Sequence, residues 1–253
     1  MKFGISCKFE EIVKEKSISV LKQEGLDIVE ISYMPYKLLV EEIPVIKDKF
    51  NYSIHAPYNN MRINFPTIRY PKIAVEEVKT AITNAINLEA RELIMHAGGF
   101  CRGYIRVTNI VKKKIALNLF LEKFVKRFGP ILREADDKGL KVLIENNYTS
   151  LLLGRMEDII YVQDKLPFLG FCLDIAHSEI YNQTEDLMEL PIDHVHISDN
   201  NKRQDQNLKI GDGVINYKEI LTKLKQKYNK KVIIECRTID EGIESLKKLK
   251  SIV

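Results

Sequence analysis

Short apolar runs rich in β-branched residues alternate along the chain with longer stretches whose apolar positions recur every three or four residues. The short runs predict strands at KFGISC (2–7), LDIVEIS (26–32), YSIH (52–55), ELIMH (92–96), KVLIE (141–145), LGFCLD (169–174), HVHIS (194–198) and KVIIEC (231–236). The longer stretches predict helices. Val75, Val78, Ile82, Ala85 and Ile86 form one apolar stripe, and Leu117, Leu121, Phe124, Phe128 and Ile131 form a second. Ile239, Ile243, Leu246 and Leu249 form the closing one. Gly139 ends the second stripe with a residue suited to a left-handed stop, directly before a strand.

Eight strands, each followed by a helix or a loop, in 253 residues match a single (β/α)8 TIM barrel. Near-continuous apolar strands such as Val142–Leu143–Ile144 suit a parallel sheet covered on both faces. No linker or change of composition divides the chain, so one α/β domain over residues 1–253 is expected. An open doubly wound sheet is the rival architecture. Its dinucleotide-binding version is disfavoured, because no GxGxxG follows the first strand.

Composition changes this picture little. Hydrophobic residues at 45% and charged residues at 29% are ordinary for a soluble globular chain. The 39 Lys and Arg against 35 Asp and Glu leave +4, which neither demands a nucleic-acid partner nor excludes one. Cys7, Cys101, Cys172 and Cys236 are too scattered for a disulfide framework, and the N-terminus lacks a signal-peptide pattern. No apolar run approaches the roughly 20 residues that span a bilayer. A cytoplasmic protein with no membrane partner is expected.

Chemistry enters through the polar residues that close the strands. His55, His96, Glu145 and Asp174 end strands three to six, His196 lies in the seventh, and Glu235 falls near the end of the eighth. His177 follows Asp174 by three residues. A lone strand-end histidine usually makes one hydrogen bond, and a lone glutamate is usually solvated or paired with an arginine. Six strands placing such groups at one end is a different matter, because in a barrel those ends form the mouth where active sites are built. Carboxylates converging there would repel one another, and a divalent cation with mixed imidazole and carboxylate ligands relieves that repulsion. Glu145, Asp174, His196 and Glu235 suit one ion of Zn, Mn, Co or Mg; His55 and His96, sharing Glu145, have the chemistry for a second. His194 faces the same side as His196 one layer lower, where a buried hydrogen-bonding role is expected. Tyr58 has the reach of a stacking residue or a barrel cap, Gly98–Gly99 reads as a turn or a phosphate loop, and Gly211–Asp212–Gly213 reads as a turn.

At these residues the chain resembles the xylose isomerase-like TIM-barrel superfamily of sugar isomerases, epimerases and endonuclease IV. The resemblance is carried by SIHAPY (53–58), LIMHAGG (93–99), VLIENN (142–147), GFCLDIAHS (170–178), HVHISDN (194–200), DQNLKIGDG (205–213) and VIIEC (232–236). It implies that Glu145, Asp174, His196 and Glu235 bind one metal, with the two glutamates as the acid/base pair. It also implies that His55, His96 and Glu145 hold another zinc in nuclease-like members. A third zinc would use His177 and a downstream Asp-x-His. That motif reads Asp205–Gln206–Asn207 here, and an amide oxygen is a weak zinc ligand beside imidazole.

Three functions follow in order of expectation. The first is a metal-dependent isomerase or epimerase of a sugar or sugar phosphate, with Glu145 and Glu235 exchanging a proton through a metal-stabilised enediolate. His177, Tyr58, Asp205 and Arg237 would contact the substrate. The second is an endonuclease IV-like zinc phosphodiesterase acting on abasic DNA. The absence of an evidently basic mouth counts against it. The third is a non-catalytic metal-binding barrel. Barrels of this kind often pair, so a homo-oligomer is an expected partner state.

Overall fold

Eight parallel strands close on themselves in chain order, with β1 (Lys2–Lys8) pairing both β2 (Ile28–Ser32) and β8 (Lys231–Ile234). Between them run β3 (Asn51–His55), β4 (Glu92–Met95), β5 (Lys141–Glu145), β6 (Gly170–Asp174) and β7 (His194–Ile197). This computed structural model describes residues 1–32, 43–56, 71–98, 110–147 and 152–252. The architecture is the (β/α)8 barrel, and the open-sheet alternative is excluded by the β1–β8 pairing. Helices cover its outer face, among them Pro71–Asn87, Ile110–Asp137, Met156–Lys165, Tyr217–Leu224 and Ile239–Ile252.

The helical stripes dock much as their periodicity predicts, with one-residue shifts. In Pro71–Asn87 the buried apolar positions are Ala74, Val78, Ala81, Ile82 and Ala85, whereas Ile86 is 38% exposed. Ala85 lies four residues after Ala81 and takes the inward position, which turns Ile86 out. In Ile110–Asp137 Leu132 is fully buried and Ile131 only half-buried, for the same reason. Gly139 adopts φ +82 two residues past the end of that helix, supplying the left-handed stop.

The large apolar core fills the layer between strands and helices. Inside the barrel the packing differs. Ile94, Leu143 and Cys172 form a small apolar cluster on β4, β5 and β6. On β1 a Cβ at Gly4 would meet Ile233 Cδ1 at 2.7 Å and the Ile28 carbonyl oxygen at 2.8 Å, so only glycine fits that layer. Beside this cluster the interior is polar. Glu30, Ser53, His194 and His196 are all at 0% exposure. At the opposite end from the mouth Asp193 Oδ1 binds Lys141 Nζ at 2.5 Å and Lys230 Nζ at 2.9 Å, tying the starts of β5, β7 and β8 together.

A candidate metal centre at the barrel mouth

Parallel strands deliver their last residues to one side, and the candidate ligands arrive that way. His55 is the final residue of β3, Glu145 of β5 and Asp174 of β6. His96 and Glu235 come one residue beyond β4 and β8, which stop earlier than the apolar pattern suggests. His196 is paired in register with Asp174 across β6 and β7. All six side chains are buried except that of Glu235, which keeps partial contact with solvent.

Glu145 is the hub. Its Oε2 lies 3.0 Å from Nε2 of His55 and 3.0 Å from Nε2 of His96. Its Oε1 lies 3.2 Å from His196 Nδ1, which in turn stands 3.5 Å from Glu235 Oε1. One ligand atom from each of Glu145, Asp174, His196 and Glu235 can be chosen so that all four lie within 4.8 Å of one another. The trios His55–His96–Glu145 and His55–His196–Glu235 meet the same limit.

Neighbouring polar groups set the orientation of these side chains. His55 Nδ1 is 2.9 Å from the Ala56 carbonyl and donates to it, while Nε2 donates to Glu145 Oε2, so a metal on Nε2 displaces that second proton. His177 Nδ1 likewise donates to the Asn146 carbonyl at 3.0 Å. The Asn146 side chain clamps β6: its Oδ1 accepts from Asp174 N at 2.7 Å and its Nδ2 donates to the Asp174 carbonyl at 2.9 Å. Asp174 then caps the helix Ile175–Glu179 through Oδ1, which accepts from His177 N at 2.7 Å. The Asn147 amide nitrogen faces His96 Nδ1 at 3.2 Å, which puts the imidazole proton on Nε2. A metal on Nε2 requires that amide to turn over and accept from Nδ1–H.

The proton balance of the cluster is uneven. Burial pushes the Asp174 carboxyl up to about 8, reinforced by the charges of Glu145 and Glu235. Burial also raises Glu235, against the pull of His196 and His55. Glu145 behaves oppositely: burial opposes its ionisation, yet the surrounding imidazoles of His96, His196 and His55 hold it well below the usual carboxylate range. Burial disfavours the charged form of His55, but its bond to Glu145 prevails and pushes it up to about 9. Burial pushes His96 down to about 3, so it is neutral near pH 7.

This donor set fits a divalent ion. Three carboxyls and an imidazole converge, burial and mutual repulsion keep one of the carboxyls protonated, and mixed N/O ligands suit Zn, Mn or Co. A further pair forms the outer edge of the site. His177 Nε2 lies 3.3 Å from Asp205 Oδ2, and Asp205 Oδ1 is buried with no hydrogen-bond partner among the described residues. Asn207, in the place of the third-site histidine, has its amide oxygen engaged by Ser198 Oγ at 3.2 Å. The buried thiols of Cys7 and Cys172 are pushed up by burial, so neither is a ready thiolate ligand.

Above these groups opens a cavity of about 390 Å³, lined by His55, His96, Glu145, His177, Asp205 and Glu235, with Lys8 and Arg237 on its rim. Arg237 is exposed and donates to the Gln206 carbonyl at 3.1 Å. Tyr58, Gly99 and Cys101 lie outside the described residues. Gly98 has φ +104, a turn geometry, and Gly211 has φ +95. His194 Nδ1 donates to Glu92 Oε2, 2.8 Å away, inside the lower barrel. Glu30, Asn146 and Asn147 are among the polar residues around the site that the strand-end pattern does not single out. For Glu30 the sequence does hold a signal, an acid between Val29 and Ile31 in an apolar strand.

A closed parallel barrel with a histidine- and carboxylate-lined mouth defines the class of protein. The chain belongs to the xylose isomerase-like TIM-barrel family, whose profile matches residues 18–250. Among relatives, it is 27% identical to uncharacterized protein MJ1311 of Methanocaldococcus jannaschii, over 99% of this chain and 88% of that one. A D-tagatose 3-epimerase-like protein superposes with a TM-score of 0.80 at 26% identity, covering 100% of this chain and 97% of its own. Endonuclease IV from Thermus thermophilus superposes with a TM-score of 0.70 at 15% identity, covering 99% and 98%, and so speaks for the fold. No described helix is long and apolar enough to cross a membrane.

Proposed function

We propose that the protein is a divalent-metal-dependent isomerase or epimerase of a sugar or sugar phosphate. The observation that carries this reading is the opposed proton affinity of two glutamates around one imidazole. Glu145 is held ionised and Glu235 is raised, while both approach His196 Nδ1 within 3.5 Å. Two carboxyls driven apart in this way are suited to act as base and acid on one substrate carbon. Glu145, Asp174, His196 and Glu235 would hold the ion, which supplies positive charge to a substrate carbonyl and its neighbouring hydroxyl.

Glu145 takes a proton from the carbon beside the carbonyl, and the C–H electron pair moves onto the carbonyl oxygen. Glu235 returns a proton to the same carbon from the other face, and the pair moves back. The carbon is inverted, Glu145 ends protonated, Glu235 ends ionised, and solvent resets both. His177 and Asp205, facing the cavity, hold a substrate hydroxyl. The cavity of about 390 Å³ falls in the range of small-molecule sites.

The test is solvent exchange. The metal-loaded protein is incubated with a panel of ketoses and their phosphates in deuterium oxide, and deuterium at the carbon beside the carbonyl is sought by NMR. A folded, metal-loaded protein that exchanges none of them sinks the reading.

One observation favours a second reading. His55 and His96 both stand 3.0 Å from one oxygen of Glu145, a donor set for another ion that a single-metal epimerase does not use. Two ions suit phosphodiester hydrolysis, which makes abasic DNA the alternative substrate. Cleavage of an abasic-site oligonucleotide with added zinc, absent in a His96→Ala variant, would replace the first reading with this one.

A further inference from the structure

Beneath the mouth a row of buried polar side chains descends through the barrel. Nδ1 of His196 faces the carboxylates of Glu145 and Glu235, while its Nε2 faces Glu30 Oε1 at 2.9 Å. Glu30 Oε2 accepts from Ser53 Oγ at 2.8 Å and lies 3.2 Å from His194 Nε2. The row continues from His194 Nδ1 to Glu92 Oε2 at 2.8 Å and from there to Lys231 Nζ at 2.6 Å. Glu30, Ser53, His194 and His196 are each at 0% exposure.

A carboxylate in this position needs a reason. Barrel interiors are filled by apolar layers, and burying a charge costs several kcal/mol unless bonded partners surround it. Here the partners are present on β3 and β7, in register with Glu30 through the β2–β3 pairing of Glu30 with Ser53. His196 Nε2 and Glu30 Oε1 are close but off the line of a hydrogen bond, and among the described residues each has no other aligned partner.

Cys172, His194 and His196 also bring ligand atoms within 4.8 Å of one another. A cation there would have to share His196 with the mouth and strip both its nitrogens of protons. Glu30 as acceptor for Nε2–H avoids that demand.

We infer that Glu30 is a positioning residue: it accepts the Nε2 proton of His196, fixes the ring, and so aims the Nδ1 lone pair at the metal centre. Carboxylate partners of this kind raise the basicity of a ligating imidazole and lock its tautomer. The inference rests on the proposed metal function, with Glu145, Asp174, His196 and Glu235 as ligands, but not on any particular sugar.

The experiment is a cobalt(II) titration of wild type, Glu30→Gln and Glu92→Gln, read by the visible absorption of the bound ion and by chelator competition. A glutamine at position 30 can still offer an amide oxygen to His196 Nε2–H but carries no negative charge, so the ring loses the carboxylate that raises its basicity. Glu30→Gln should bind cobalt about ten- to a hundredfold more weakly, with an altered band shape and unchanged far-UV circular dichroism. Glu92→Gln removes a charge from the same row without touching His196 and should keep near wild-type affinity and spectrum. Equal binding and an identical spectrum in Glu30→Gln overturn this inference and leave the proposed function intact. Equal weakening in both variants also overturns it, as a general charge effect. A wild type that takes up no divalent ion overturns both. Should Glu30→Gln fail to fold, Glu30→Asp, which draws the carboxylate back from His196 Nε2, decides by the same criteria.

Discussion

His96 Nε2 stands 3.0 Å from Glu145 Oε2, and the imidazole is nonetheless neutral. Burial, with the charges of His55, His177 and His196 around it, outweighs the pull of the carboxylate. His55 touches the same oxygen at the same distance, yet is pushed up to about 9. Two histidines on adjacent strands thus present different proton costs to an incoming cation.

Metal uptake should therefore release protons and strengthen with pH. Asp174, raised to about 8, and His55, raised to about 9, bind metal only when deprotonated. Below those values each displaced proton weakens binding about tenfold per pH unit. Chelator competition between about pH 6 and about pH 8 should show affinity rising steadily. An affinity that is flat over that interval contradicts the assignment of Asp174 as a ligand.

Glu235→Gln keeps the size of the side chain and removes its proton exchange. Turnover should fall by about 10²- to 10⁴-fold, with a thermal midpoint close to wild type, because Glu235 carries no core packing. Exchange measured on the purified variant provides the check, and normal activity would rule out this acid.

Asp193 offers a stability test far from the mouth. Burial alone would raise its carboxyl, but the bonds to Lys141 and Lys230 prevail and lower it. A carboxyl with a lower pKa folded than unfolded adds stability above the unfolded value near ~3.9, and that contribution is lost as pH falls through the folded value. Asp193→Asn should therefore cost about 1–2 kcal/mol at neutral pH, with the gap to wild type closing in acid. Urea midpoints at neutral and acid pH would measure this.

Gly213 lies against the loop after β7. A Cβ there would meet Asp199 Oδ1 at 2.2 Å and the Asn200 carbonyl at 2.4 Å. Asp199 holds that loop by accepting from Asn200 N, Gly211 N and Ile215 N. Gly213→Ala should destabilise by about 1–3 kcal/mol and loosen the segment that carries Asp205. Thermal melts report the first effect, and hydrogen exchange of residues 205–213 the second.

The linear sequence by itself determined the number and order of the strands and the side to which their polar ends point. Apolar runs of four to six residues separated by helical stripes allow few other arrangements. Because parallel strands bring all their C-termini to one face, His55, Glu145 and Asp174 could be placed at a common mouth from their positions alone. Only the tertiary structure decided which of these side chains meet. Pairing of β8 with β7 sets Glu235 beside His196, and closure of β1 onto β8 rounds the sheet so that distant strands face one another, contacts that no local pattern encodes. The same closure turns Glu30, a lone acid in an apolar strand, into the partner of His196 and His194. Tautomers and proton affinities follow from those contacts and from burial, both products of the folded barrel.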